Sequence, residues 1–229
     1  MEPNIPMATG STTLGLSQNR VLRNTYLLLA IALVPTVIGA VIGVNLNFGI
    51  MRASPMMMAI ATIAIFYGWI WAIEKNRESA VGVGLLLGFT FFLGLLLGPL
   101  LQRILGMSNG GQLIGLAAGG TAAVFFAMAG IATTTKRDLS GLGKFLGIGV
   151  IVAMVMVIAN IFFQSSAVHM TILAIFIPLC SLLMLYQINQ VVRGGETNYV
   201  SAALSIFISI YNLFSVLLQM LGIFGGRDD

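Results

Sequence analysis

AVGVGLLLGFTFFLGLLLGPLL, residues 80–101, holds no charged side chain and a single hydroxyl, that of Thr90. A helix over a run of about 20 apolar residues reaches across the roughly 30 Å hydrocarbon core of a bilayer. The stretch therefore reads as a transmembrane span. Outward from it the same pattern recurs at 25–44, 55–73, 112–133, 142–163, 168–187 and 199–224. The connections are short and carry charge, Gly, Pro or Asn, as in NLNFGIMRAS (45–54), EKNRES (74–79) and TTKRDLSG (134–141). The expected architecture is an all-α membrane protein, a bundle of seven transmembrane helices. It divides into a flexible cytoplasmic tail over 1–24, one helical domain over 25–224 and a short external tail over 225–229.

Composition supports this reading. The chain is 58% hydrophobic and 8% charged, with a mean hydropathy of +1.01, whereas soluble domains carry about 25% charged residues. The net charge of +4 reports topology rather than nucleic acid, because Lys and Arg collect in cytoplasmic loops. Arg20, Arg23, Lys75, Arg77, Lys136, Arg137, Lys144 and Arg193 fall on one alternating set of connections, and Arg52, Arg103 and Arg227 on the other. That places the N-terminus in the cytoplasm and the C-terminus outside. Residues 1–24 lack the apolar stretch of a cleavable leader. The first apolar run, from Tyr26, is therefore expected both to target the chain and to stay in the membrane.

The acids argue against ion-coupled transport and proton pumping. Glu2, Glu74, Glu78, Asp138, Glu196, Asp228 and Asp229 all lie in tails or loops, whereas such proteins keep ionisable groups inside the membrane. Lys and Arg are absent from span interiors too, which leaves no lysine for a retinal Schiff base. The lone His169 opens the sixth span near the outer interface and supplies no triad and no metal site by itself. Cys180 sits inside an apolar run and has no partner for a disulfide. Met56, Met57, Met58, Met154 and Met156 offer soft ligands, but consecutive methionines point around a helix and read as apolar filler. No cofactor and no catalytic or metal-ligating set is expected.

The last two spans carry more polarity. Tyr186, Gln187, Asn189 and Gln190 end the sixth, and Ser205, Ser209, Asn212 and Gln219 punctuate the seventh. Ser205, Ser209 and Asn212 follow i, i+4, i+7 spacing and form one stripe, which should face the bundle interior because amides exposed to lipid are costly. Two readings follow: interhelical hydrogen bonding, or a narrow polar path over Tyr186, Ser205, Ser209 and Asn212. Glycines four apart (Gly84 with Gly88, Gly94 with Gly98, Gly115 with Gly119, Gly143 with Gly147) place small faces where helices can approach closely. They serve packing within the bundle or between copies.

One segment has a distinctive combination: LYQIN (185–189), then Gly194, Gly195, Glu196, Thr197, Asn198 and Tyr199, then YNLF (211–214) with Asn212. With VLRNTYLLL (21–29), GPLL (98–101), GGTAAVFF (119–126), TTTKRDLSGLG (133–143) and VIANIFFQ (157–164), it resembles the Bax inhibitor (transmembrane Bax-inhibitor motif) family along essentially the whole chain. The resemblance implies seven helices with the last one central, in a bacterial inner membrane. It also implies one of two functions. Some members are pH-gated calcium leak channels that use an aspartate pair, whose positions correspond here to Gln187 and Ser209. Neither residue titrates, so a leak through this chain would lack that gate. A bacterial branch binds the membrane-anchored ATP-dependent protease FtsH and restrains it as a slow competing substrate. The expected function is this non-enzymatic regulation, with FtsH and the lipid bilayer as partners and no nucleic acid; the alternative is a passive calcium or ion leak.

Overall fold

The structure is a computed structural model that describes residues 9–46, 55–135 and 137–225. Seven helices follow one another among these residues: α1 Thr9–Asn45, α2 Pro55–Lys75, α3 Ala80–Leu105, α4 Gly110–Thr134, α5 Ser140–Phe163, α6 Ser166–Arg193 and α7 Tyr199–Gly225. Six of them, α1 from Gln18 onward and α3 to α7, are long and apolar enough to cross a membrane. The expected span over 55–73 falls within α2. Arg52, Lys136, Arg227 and the side chains of Met56, Met57 and Met58 lie outside what is described, as do residues 1–8 and 226–229.

Within the segment expected as a tail over 1–24, α1 begins at Thr9 and runs unbroken into the apolar segment. Extending an existing helix adds a hydrogen bond for each residue fixed, without a second nucleation cost. Gln18, Arg20, Leu22 and Arg23 are all good helix formers. The sixth helix likewise continues to Arg193, so Gln187, Asn189 and Gln190 lie within it rather than at its end.

α7 is the central element. It packs against α1, α2, α3, α4 and α6, and along its whole length Phe224 alone is exposed. Its apolar residues Ala203, Leu204, Ile206 and Phe207 join Leu28 and Ala32 of α1, Leu86, Phe89 and Leu93 of α3, and Ile188 of α6 in the main core. Phe89 meets Phe66 edge-on, with ring centroids 5.3 Å apart. By contrast α5 packs mainly against α6, with Tyr67 of α2 reaching Met154 at 3.8 Å, and turns Phe145, Ile151, Phe162 and Phe163 outward. That apolar exposure suits a lipid solvent, in which burying such a face gains little.

Glycine explains the closest crossing. A Cβ on Gly94 would collide with the Thr36 carbonyl, one on Gly98 with that of Gly43, and one on Gly39 with that of Phe91. Gly39 and Gly43 of α1 thus face Gly94 and Gly98 of α3, and backbone meets backbone. The other glycine pairs behave differently. Gly84, Gly115, Gly119 and Gly147 have open space where a Cβ would stand, Gly88 meets the Trp69 ring, and Gly143 meets Tyr186.

Candidate functional site

The centre of the α6–α7 contact is polar. Ser209 is 3% exposed, and its Oγ–H donates to Gln187 Oε1 at 3.0 Å, with the Ser205 carbonyl of its own helix at 3.3 Å. Ser205 donates back to the Ala202 carbonyl at 3.1 Å, as a hydroxyl in an apolar helix commonly does. Asn212 is half-buried one turn further on. Ser205, Ser209 and Asn212 thus stand along a buried or half-buried side of the central helix. Tyr186 does not join them, because its hydroxyl lies over Gly143 of α5, and α5 does not pack on α7. Of the residues expected to share a polar path, the fold groups those of α7, with Gln187 beside Ser209, and sets Tyr186 apart. Neither side chain of the Gln187–Ser209 pair titrates, so it can pass a hydrogen bond but cannot exchange a proton near neutral pH.

The GGETNY segment builds a corner. Gly194 has φ +76, the left-handed conformation that favours glycine at a helix C-terminus. Gly195 N and Glu196 N both donate to the Gln190 carbonyl, at 2.8 and 3.1 Å, which satisfies the end of α6. Glu196 Oε1 accepts from Asn198 N at 2.8 Å. Asn198 Oδ1 then accepts from Val200 N at 2.9 Å and Ser201 N at 3.2 Å, an N-cap for α7. Its amide also donates to the Arg77 carbonyl at 3.1 Å, tying the α2–α3 turn to the start of α7. Tyr199 begins the helix, and Thr197 is exposed between the two caps. The segment's chemistry is backbone satisfaction.

Two residues that sequence reasoning left in a loop, Glu74 and Arg77, complete this corner with Ser201. Glu74 Oε2 accepts from Ser201 Oγ at 2.9 Å and from Arg77 Nη1 at 3.3 Å. Spacing gives no signal for a contact between positions 74 and 201; only the fold brings them together.

Beside the corner, at the ends of α4 and α6, lies an open recess of about 880 Å³. Arg193 Nη2 donates to the Thr135 carbonyl at 3.2 Å. Ser140 gives both its hydroxyl (2.6 Å) and its N–H (2.8 Å) to Asp138 Oδ1, and Gln190 Nε2 donates to Ser140 Oγ at 2.9 Å. The two Ser140 bonds, with Arg193 adding a smaller attraction, hold the Asp138 carboxyl below its usual range. Among the described residues no group of three His, Cys, Asp or Glu converges.

Residues 18–226 match the family model described as "Inhibitor of apoptosis-promoting Bax1". The chain is 43% identical over 214 residues to an uncharacterized protein of Neisseria meningitidis serogroup A, covering 93% of this chain and 94% of the relative. It is 39% identical over 213 residues to "Modulator of FtsH protease YccA" of Escherichia coli K12, again covering 93% and 94%. An "uncharacterized membrane protein" of Vibrio cholerae is 35% identical over 227 residues, covering 98% of this chain and all of the relative.

Proposed function

Because this chain belongs to the Bax inhibitor family, and to a part of it that includes a named modulator of FtsH protease, we propose that it binds and restrains an FtsH-type membrane-anchored ATP-dependent protease, as a slow competing substrate without enzymatic activity of its own. The observation that carries this reading is 39% identity along 93% of the chain to that modulator. An Escherichia coli relative bears the name "Inner membrane protein YccA", and the bacterial inner membrane is the proposed location here. In this arrangement α2 serves as a seventh span, the N-terminus is cytoplasmic and the C-terminus periplasmic, as the distribution of Lys and Arg favours. A C-terminal alkaline phosphatase fusion should then be active.

The physical support is a division of labour along the chain. A cytosolic motor grips a chain end, here the polar N-terminal segment that leads into α1. Extraction must then pull α1 away from α3 across the glycine crossing, where backbone contacts backbone, and from the core shared with α7. A bundle that yields slowly would occupy the protease and spare its other substrates. Co-purification of the protease with the full chain and with a variant lacking residues 2–20 tests engagement. A truncated chain that binds and is still degraded as fast as the full chain would remove the tail from the mechanism.

A second reading, a passive ion leak along Ser205, Ser209 and Asn212, draws support from the polar contact at the centre of the bundle. With no carboxylate at that contact, such a leak would be insensitive to pH between 6 and 8. A dye-loaded vesicle assay separates the readings: calcium entry through the reconstituted protein favours the leak.

A further inference from the structure

We propose that the recess holding Arg193 and Asp138 binds the phosphoethanolamine headgroup of a membrane phospholipid. Its place in the fold is the first reason. Arg193 is the last residue of α6, Thr134 the last of α4 and Ser140 the first of α5, while Gln18 opens the membrane-length part of α1. All four line the recess, and the ends of membrane-spanning helices lie at headgroup depth. From Ser140 the exposed apolar surface of α5, with Phe145 and Ile148, runs into the bilayer and offers a track for acyl chains.

Chemistry is the second reason. The recess of about 880 Å³ is within the size of ordinary ligand sites, and hydroxyls, amides and backbone line it. Among the described residues it carries one guanidinium and one carboxylate. Arg193 is oriented by its bond to Thr135, and a guanidinium has five N–H donors, suited to phosphate oxygens. Asp138 is ionised and held in place by Ser140, which Gln190 supports in turn. A net anion would be attracted by Arg193 but repelled by Asp138. A zwitterion satisfies both, phosphate to Arg193 and ammonium to Asp138. The ammonium must carry hydrogens to bond the carboxylate, which distinguishes ethanolamine from choline.

Native mass spectrometry of the full chain in detergent, with equal amounts of phosphatidylethanolamine, phosphatidylglycerol and phosphatidylcholine, tests this. The chain should retain phosphatidylethanolamine about five-fold over the others, the size of one exposed charge contact. Arg193→Gln should lose that retention, and Asp138→Asn should lose the preference for ethanolamine over choline. Should Arg193→Gln fail to fold, the exposed Asp138 still provides the test. Equal retention of the three lipids, or a preference that survives in Asp138→Asn, overturns the proposal. Soluble glycerophosphoethanolamine at the same concentration should leave the lipid in place; displacement would assign the site to a soluble amino-phosphate and overturn the lipid source.

Discussion

Ser209 of the central helix donates to Gln187 of α6 across 3.0 Å, a contact between the two positions that the sequence resemblance alone matches to an aspartate pair. Neither side chain titrates near neutral pH. Ser209→Ala should cost about 0.5–1 kcal/mol, the value of a neutral interhelical hydrogen bond in a membrane, measured by thermal unfolding in detergent.

Placing two acids at these positions should create a proton-dependent element. In Gln187→Asp with Ser209→Asp, two carboxyls would share a buried site, and one would have its pKa raised. A raised folded-state pKa on an acid means that stability is present at low pH and lost as pH rises through that value. The double variant should therefore unfold at a higher temperature at pH 5 than at pH 8, whereas substitution of the same two positions by Asn should remove this difference.

The glycines separate by what faces them. Gly94→Ala places a Cβ against the Thr36 carbonyl and should destabilise by about 1–3 kcal/mol, the range for overpacking. Gly115→Ala meets open space and should be neutral or stabilising by up to about 1 kcal/mol, the helix-propensity difference between the two residues. Thermal unfolding of both variants in one detergent checks the contrast.

Asn198→Ala removes the cap of α7 and the bond to the Arg77 carbonyl. It should cost about 1–2 kcal/mol, and Asn198→Asp, which keeps the capping oxygen, should recover part of it.

Asp138 gives a pH dependence of definite sign. Ser140 holds its carboxyl below the ordinary value of 3.8, so its contribution is present above that value and fades as pH falls through the lowered one. Ser140→Ala should move the Asp138 titration, followed by NMR, up towards 3.8.

Helix existence was the most legible feature. Charge-free runs such as 80–101 appear as α3, Ala80–Leu105, because a bilayer demands a continuous apolar stretch. The first turns of α1 were not legible, since hydropathy ignores polar residues that extend an existing helix. Glycine spacing marked Gly94 and Gly98 but could not separate them from Gly115 and Gly119, because spacing reports a face and not what meets it. Their partners Gly39 and Gly43 went unread for the same reason. The inward stripe on α7 was visible from periodicity, whereas the tie from Glu74 to Ser201 depends on three-dimensional closure across positions far apart in the chain. Neighbours in a helix point about 100° apart, so Gln187 takes the side towards Ser209 while Tyr186 lies over Gly143.

The most direct test of the proposed regulation is the half-life of an unassembled FtsH substrate in cells overexpressing this protein, with and without residues 2–20. The account predicts that the full chain lengthens that half-life, while the truncated chain still binds but is no longer degraded. If neither version changes the half-life, restraint of the protease is contradicted.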